Sequence, residues 1–298
     1  LYADPWPDPP ILPSSGGCYR RERFPHLLRQ KTPSDPAQPA QKISPPSKNP
    51  YETDLIKHFP ACLEALNTLD DTLRGIIMDV VYAVCEGMKT DLTFFPAEHS
   101  RELRAFDTPA ELERYCRLMG GEPGLFWSRL IYHTAPIAMP EEAFYALGQQ
   151  IGDALQIVNI LRDLPKDLRI GRCYFPRLDL EKAGLSAADL LAPANSARFE
   201  PVKRKWIAWG LTNLKSAKKY FPQLPKTQPG QRAAVAWPVL WTADTLWKVY
   251  QEPCLLDPQR RVKISRGVIY RTMLCTPPLL LSNGLFAYWL DKKLRRFH

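Results

Sequence analysis

The seven cysteines of this 298-residue chain stand singly, and no two of them are separated by only two residues. The sequence therefore lacks the closely spaced cysteine pairs of structural zinc sites, and the odd count gives no disulfide framework. We also recognise no secretory signal in it. We expect reduced thiols, mostly in the core, and a cytoplasmic location.

Long apolar runs are interrupted, and alternating strand patterns are lacking. The uncharged stretch 272–290 is broken by Pro277, Pro278, Asn283 and Gly284, so we expect no membrane-spanning helix there. We find no internal repeat. These absences favour a helical globular protein.

Acidic residues are in the minority, with 31 Asp and Glu against 40 Lys and Arg, which gives a formal net charge of +9. Such a charge favours an anionic partner, which could be nucleic acid, an acidic membrane surface or a phosphorylated substrate. We find neither a nucleic-acid recognition helix nor an aromatic and basic platform. We therefore expect no nucleic-acid partner.

Proline is concentrated at one end, since twelve of the thirty prolines fall in the first fifty residues. This predicts an extended, irregular segment over 1–50 and a helical domain over 51–298. Within the domain, apolar residues recur every three or four positions from Leu73 to Leu92, which is typical of a core-facing helix. Further helical patterns run over 109–132, 141–169, 199–220, 232–250, 263–274 and on towards the C-terminus. The predicted fold class is all-α.

Four polar side chains, Gln156, Asn159, Asp163 and Asp167, are spaced three, four and four residues apart. On a helix they fall within an arc of roughly 80°. Carboxylate and amide oxygens suit Mg²⁺, which takes hard ligands and also phosphate oxygens. Pro165 predicts a kink or the last helical turn just before Asp167.

The surroundings of this row decide between a solvated face and a ligand site. Arg162, Lys166, Arg169 and Arg172 flank it, where cations could neutralise a bound diphosphate. The rest of the helix is apolar around much of its girth, which predicts burial. Because buried carboxylates need partners, we favour a metal and phosphate site over a solvated face.

Three segments carry a resemblance to a known family. The segment from Gln156 to Pro176, with the pattern QxxNIxRDxxxDxxxGRxYxP, closely resembles the second aspartate-rich motif of squalene and phytoene synthases. EGMKTDL (86–92) and YCRLMGGEPGLFWSRL (115–130) are similar to two further helix segments of that family, in the same order. The resemblance implies a single-domain isoprenoid-synthase bundle of helices around a central apolar cavity.

The resemblance also implies roles for individual residues. It gives Asp163, Asp167 and Asn159 to Mg²⁺, and Tyr115, with the two aspartates, to catalysis. The remaining residues would bind substrate: Gln156 beside the metal, Arg162 and Arg172 at the phosphates, and Gly121 and Gly124 where the prenyl chain needs room.

The implied reaction joins two farnesyl diphosphates head to head through presqualene diphosphate, and reduction by NADPH then gives squalene. Without hydride the same fold would make dehydrosqualene, and from geranylgeranyl diphosphate it would make phytoene. A non-catalytic paralogue that binds prenyl lipids is the third alternative. We favour squalene because the segments 159–176 and 124–130 look most like the bacterial squalene synthases.

The first aspartate-rich motif of the family has no clear counterpart. Asp4 and Asp8 have suitable spacing, but the prolines between and after them would break a helix. Asp70 and Asp71 do not complete an acidic motif, and we expect them at a helix start or in a solvated loop. Because this first motif is not found, the non-catalytic alternative stays open.

The C-terminal region suggests a location. From Arg260 onward, nine Lys and Arg residues face a single acidic residue, Asp291, and Ile269, Tyr270, Phe286, Tyr288 and Trp289 are interleaved with them. This pattern favours peripheral contact with the inner face of an anionic membrane. A solvated basic face over core aromatics is the alternative.

Overall fold

The computed structural model describes residues 50–95 and 102–297 of the chain. The predicted extended segment, except its last residue, and the aspartates Asp4 and Asp8 lie outside the described residues. Backbone contacts divide the chain into two compact units, residues 1–75 and 76–298.

In the first unit, helix α1 covers Pro50–Asn67 and helix α2 (Asp71–Thr93) begins. The Asp70 carboxylate accepts a hydrogen bond from the Leu73 amide at 2.9 Å, and Asp71 pairs with Arg74 one turn later. Both interactions are those of residues at a helix N-terminus. The prediction that the two aspartates start a helix is confirmed.

The second unit is built almost entirely of helices, and the all-α prediction is confirmed. After α2 they are α3 (Pro109–Cys116), α4 (Glu122–Thr134), α5 (Glu141–Arg169), α6 (Arg177–Lys182), α7 (Ser196–Leu214), α8 (Ala217–Tyr220), α9 (Pro229–Gln251), α10 (Arg266–Leu274), α11 (Thr276–Leu281) and α12 (Asn283–Leu294). Short 3₁₀ turns cover Ala188–Leu191, Pro193–Asn195, Phe221–Gln223 and Arg295–Phe297.

Helices α3 and α4 form one nearly continuous rod over the range predicted from the pattern 109–132. Thr108 and Glu111 make a reciprocal capping box at its start. A five-residue π-helical turn, Arg117–Gly121, joins α3 to α4. Single π-helical turns inside a helix are frequent near functional sites.

Helix α5 is the central helix of the second unit and has the predicted bounds. Its apolar residues belong to both clusters of the core, for example Ile157 and Leu161 in one and Phe144 and Ile151 in the other. Pro165 lies inside the helix, which ends four residues later at Arg169. The polar row therefore stays on one continuous helix, because a proline near the end removes a single backbone hydrogen bond.

Two strands of two residues each lie beside these helices in the sequence, one before α3 and the other after α5. β1 (Arg104–Ala105) pairs in parallel with β2 (Arg172–Cys173), and Arg104 is opposite Arg172. Gly171, with φ of 83°, makes the turn between α5 and β2 in the left-handed region that glycine favours. This pairing holds the chain after α5 against the segment before α3.

The apolar stripe of α2 faces the core only in part, since Ile76 is buried but the residues towards the end of the helix are exposed. In the described part of the chain, Val81, Met88 and Leu92 are 45%, 52% and 77% exposed. The helix instead turns Gly87 and Thr90 inward. Gly87 packs closely against Met119, where a Cβ would lie 2.4 Å from the sulfur atom, so the small residue allows a close approach there.

No helix among the described residues combines the length and the apolar character needed to cross a bilayer. The six cysteines in the described ranges are free thiols, of which Cys116 and Cys173 are buried and Cys62 and Cys85 are exposed. The expectation that most of them lie in the core is therefore wrong.

Candidate active site

The predicted row of polar residues lies on one face of α5, and its first half borders a cavity. The cavity has a volume of about 490 Å³. Its lining is apolar apart from a few groups, among them Gln156 and Asn159. Helices α4, α5, α8 and α9 and the π-helical turn supply the other lining residues, which are Met119, Gly120, Pro123, Gly124, Trp127, Gly148, Ile151, Gly152, Leu155, Tyr220, Ala234, Val235 and Pro238.

The second half of the row lies beside a separate, basic groove of about 640 Å³. Asp163 lines it together with cations from α5 and from the segment before α10, which are Arg162, Lys166, Arg169, Arg260, Arg261 and Lys263. Six cations against one carboxylate make the groove suited to a polyanion such as a diphosphate. Successive turns of α5 thus pass from an apolar cavity to a basic groove.

Arg162 and Asp163 are paired with each other. The Arg162 guanidinium donates to both carboxylate oxygens of Asp163, at 2.9 and 2.6 Å. Both side chains are about two-fifths exposed, so they remain accessible to a ligand. An incoming metal and phosphate pair could separate them, because each partner would find an opposite charge.

Asp167 is a partly buried aspartate of the motif. Its burial, together with the negative charge of Asp163 one turn earlier, raises the pKa of its carboxyl to about 7. The cations Lys166 and Arg172 lower the pKa but do not offset these effects. A cation bound between the two carboxylates would relieve this repulsion.

The donor set fits Mg²⁺. Asn159, Asp163 and Asp167 offer only oxygen ligands, and Mg²⁺ usually needs one or two carboxylates and completes its shell with water and phosphate. Within the described ranges, no three His, Cys, Asp or Glu side chains are grouped closely enough to hold a metal by themselves. A metal here would therefore need oxygens from the substrate, as expected for a metal–diphosphate complex.

Tyr115 occupies a buried cluster beside this row. It is 5% exposed, and its hydroxyl donates to an Asp91 carboxylate oxygen at 3.0 Å. The Tyr174 hydroxyl donates to the other Asp91 oxygen at 3.1 Å, and the two tyrosine rings stack at 4.8 Å. Arg172 approaches Asp91 at 3.5 Å. The predicted phosphate ligand Arg172 is thus paired with a carboxylate in this structure.

Both phenols of the cluster stay protonated at neutral pH. Burial raises the pKa of Tyr115 far above its ordinary value, and Tyr174 and Asp91 add to the shift. Burial also raises the pKa of Tyr174 to about 12, although its hydrogen bond with Tyr115 opposes the shift. Tyr115 can therefore act as an oriented hydroxyl and an aromatic face, and a phenolate is excluded near pH 7.

The two predicted substrate glycines, Gly121 and Gly124, lie in close contacts with α5. A Cβ on Gly121 would lie 2.4 Å from an Asp153 carboxylate oxygen, and one on Gly124 would lie 2.2 Å from the Gly148 carbonyl oxygen. Gly124 does border the cavity, but Gly121 is not among its lining residues, whereas Gly120 is. Both glycines permit close contacts between helices, and the expectation that they leave room for a prenyl chain stays a prediction, with Gly124 alone of the two at the cavity.

Sequence reasoning missed two groups. Asp91 and Tyr174 lie inside segments that were recognised, 86–92 and 156–176, but received no role. The pairs Gly120–Gly124 and Gly148–Gly152, each four residues apart, are the signal for the close crossing of α4 and α5. Because local spacing does not show which helices meet, neither group could be assigned before the structure.

Comparison with known proteins agrees with this geometry. A family model described as squalene/phytoene synthase matches residues 32–268. A chloroplastic phytoene synthase of Narcissus pseudonarcissus is 33% identical over 183 residues, which are 60% of this chain and 39% of the relative. Chloroplastic phytoene synthase 2 of Solanum lycopersicum is 30% identical over 174 residues, 58% of this chain and 51% of the relative. The chain thus spans about half or less of the length of these relatives.

Solved structures show the same fold. TcSQS in complex with the ligand BPH1237 superposes with a TM-score of 0.67 at 18% identity, over 87% of this chain and 79% of that one. The squalene synthase HpnC from Alicyclobacillus acidocaldarius gives a TM-score of 0.51 at 18% identity, over 67% and 66%. The predicted helical isoprenoid-synthase fold is confirmed. Because the family model covers most of its length, this chain belongs to the squalene/phytoene synthase family, whose members are head-to-head prenyltransferases.

Proposed function

We propose that the protein condenses two farnesyl diphosphates head to head through presqualene diphosphate and reduces the product to squalene with NADPH. The proposal rests on the positions of the polar residues along one face of α5. Gln156 and Asn159 border an apolar cavity, and Asp163, one turn on, borders a basic groove. A prenyl diphosphate has the same two-part character, since an apolar chain ends in a polyanion.

The diphosphate end would be bound by groups of both signs. Arg162, Lys166 and Arg169 supply charge-assisted hydrogen bonds to phosphate oxygens. Asn159, Asp163 and Asp167 would hold Mg²⁺, which stabilises negative charge on a departing diphosphate. Loss of the diphosphate would leave an allylic cation, which the double bond of the second substrate attacks, and loss of a proton would then give presqualene diphosphate. Loss of the second diphosphate, rearrangement and hydride transfer from NADPH would give squalene.

The walls of the cavity serve the second requirement of this chemistry. An allylic cation reacts with water, so an apolar lining protects it. Tyr115 and Tyr174 are buried and are not among the cavity's lining residues, but their electron-rich rings and neutral hydroxyl groups beside Asp91 would stabilise positive charge nearby. We propose this as the role of Tyr115 in catalysis.

Incubation of the protein with farnesyl diphosphate and Mg²⁺, with and without NADPH, tests the proposal. Squalene formed only when NADPH is present supports it. Dehydrosqualene in both reactions would replace squalene synthesis with the hydride-free reaction. Absence of any hydrocarbon or presqualene diphosphate, in a protein that still binds farnesyl diphosphate, would favour a non-catalytic prenyl-binding role.

Phytoene synthesis from geranylgeranyl diphosphate is the second candidate. It is favoured by the names of the two relatives at 33% and 30% identity, which are both phytoene synthases. A parallel incubation with geranylgeranyl diphosphate separates the two. The substrate with the higher kcat/KM identifies the reaction.

We also propose a cytoplasmic location with peripheral contact at an anionic membrane surface. Helices α10 and α11 present exposed apolar side chains, with Tyr270, Leu274 and Leu281 at 60%, 80% and 63% exposure. No acidic residue occurs between Asp257 and Asp291, whereas Arg266 and Arg271 lie on either side of Tyr270 in the sequence. Apolar groups next to cations match the chemistry of an anionic lipid surface.

The structure changes which aromatic residues could take part in that contact. Phe286 is fully buried and is therefore unsuited to lipid contact, Trp289 is partly buried against the core, and Tyr270 and Tyr288 are exposed. Flotation with vesicles of phosphatidylcholine, with and without phosphatidylglycerol, tests the contact at two salt concentrations. Leu274→Ser should reduce binding to the anionic vesicles, whereas the control Leu191→Ser, at an exposed leucine elsewhere, should not. Equal flotation of both variants would contradict the proposal.

A further inference from the structure

Asp91 holds two hydroxyl groups at once. It lies in the last turn of α2, and its side chain is 16% exposed. One carboxylate oxygen accepts from the Tyr115 hydroxyl at 3.0 Å and the other accepts from the Tyr174 hydroxyl at 3.1 Å. Each oxygen therefore takes one phenol.

The charge on this carboxylate is compensated from within the cluster. An Arg172 guanidinium nitrogen lies 3.5 Å from the oxygen that Tyr115 contacts, and the Arg172 side chain is 19% exposed. Arg172 is itself held by the pairing of β2 with β1. Asp91 thus connects the end of α2, the end of α3 and the strand after α5.

The Tyr115 hydroxyl also lies 3.4 Å from the Tyr174 hydroxyl oxygen, but the charged Asp91 carboxylate is the nearer and stronger acceptor, so both hydroxyl hydrogens point to Asp91. A phenol whose hydrogen points to a carboxylate presents its oxygen lone pairs to the other side. The two rings lie nearly parallel, with centroids 4.8 Å apart and planes inclined by 24°. Oriented oxygens and ring faces attract positive charge, whereas a hydroxyl hydrogen turned the other way would repel it.

We propose that Asp91 is a positioning residue that orients Tyr115 and Tyr174 so that their oxygens stabilise the cationic prenyl intermediate. This inference rests on the proposed function, because it assigns the tyrosine pair to a cation formed from a prenyl diphosphate. Asp91 itself touches neither the substrate nor Mg²⁺ in this scheme. It acts through the two phenols.

The variant Asp91→Asn separates orientation from simple packing. The amide has the size of the carboxylate, and its oxygen can accept from one phenol while its NH₂ group donates to the other. Two hydrogen bonds remain, but one hydroxyl must reverse its direction. The control Asp79→Asn changes an aspartate on the same helix that pairs with Arg129 and contacts neither tyrosine.

Steady-state kinetics with farnesyl diphosphate gives the first measurement. Asp91→Asn should lower kcat about ten- to hundredfold, the range for a hydrogen bond to a charged group, with KM unchanged. Asp91→Glu should recover part of kcat because it restores two acceptors, and Asp79→Asn should retain full kcat. Wild-type kcat in Asp91→Asn, or a loss that follows a lower melting temperature, would overturn the proposal.

Coupling to the tyrosines gives a second measurement. If Asp91 acts through the phenols, Asp91→Asn should add little to the loss already caused by Tyr115→Phe combined with Tyr174→Phe. Additive losses in kcat would show that Asp91 acts independently of them and would overturn the proposal.

Binding of a cationic analogue tests orientation without turnover. Farnesyl dimethylamine, which is protonated at neutral pH, can be titrated into the protein in the presence of inorganic pyrophosphate. Asp91→Asn should weaken its binding about tenfold or more while leaving farnesyl diphosphate affinity unchanged. Equal affinity of both proteins for the amine, or no binding to either, would overturn the inference even if the hydrocarbon assay succeeds. Weaker binding to the variant would support it even if that assay detects no product.

Discussion

Replacing Gly124 with alanine would place a methyl group inside the contact between α4 and α5. The added Cβ would lie 2.2 Å from the Gly148 carbonyl oxygen, whereas an ordinary contact begins near 3.4 Å. The two helices would have to separate by about 1.2 Å, the difference between these distances. The obstacle is backbone, which cannot rotate away as a side-chain end can.

Two consequences of this separation can be estimated. Overpacking of a close contact typically costs about 1–3 kcal/mol of unfolding free energy. In addition, α5 carries Asn159 and Asp163, so its displacement moves the polar row away from the cavity and the groove. A misplacement of about 1 Å can lower a catalysed rate about 10²-fold. We expect losses of stability and of turnover together.

Urea unfolding and hydrocarbon formation measure the two effects separately. Gly230→Ala is the matched control, because a Cβ there meets nothing within 4 Å. It should leave turnover unchanged and leave stability unchanged or raised by about 0.4–1 kcal/mol. If Gly124→Ala kept wild-type stability and changed only the preferred prenyl chain length, the close-packing argument would be wrong and the glycine would serve to make room for substrate.

Three further predictions concern charges. Asp163→Asn should abolish turnover and weaken Mg²⁺ binding, while the helical circular dichroism stays unchanged. Full turnover in this variant would show that Asp163 does not belong to the site. The pKa of Asp167 is raised to about 7, so the folded protein holds this proton more tightly than the unfolded chain does. In the absence of metal, the free energy of unfolding should therefore fall as pH rises from about 4 to about 7. Mg²⁺ affinity by calorimetry should rise up to about tenfold per pH unit below about pH 7 and then level off, and a flat profile would contradict this. Arg117→Met should cost about 3 kcal/mol in urea unfolding, since it leaves Asp153, 2% exposed, without its ion-pair partner, whereas the exposed Arg177→Met should cost about 1 kcal/mol or less.

The helices and the polar row were predictable because both depend on local spacing. Apolar periodicity placed α5 at Glu141–Arg169, and the same periodicity put Gln156 and Asp167 on one face. The motif 156–176 identified the family because its residue types are tied to one chemistry at fixed intervals. These properties need no knowledge of which helices meet.

The orientation of α2 was not predictable from its pattern. Its apolar stripe suggested a buried face, but Met88 and Leu92 are exposed and the small residue Gly87 makes the close contact. Hydrophobic periodicity gives the sidedness of a helix, whereas its docking depends on the shapes of the surfaces that meet. The glycines of α4 illustrate the same limit, since their spacing alone could equally indicate a tunnel.

The sequence by itself determined an all-α chain of the squalene/phytoene synthase family with an oxygen-rich row on one long helix. Only the tertiary structure decided that Asp91 meets Tyr174, 83 residues away, and that the row passes from an apolar cavity to a basic groove. Local patterns follow from backbone geometry and side-chain chemistry along a single helix. Contacts between distant residues depend on how several helices pack at once, and no spacing within one segment contains that information.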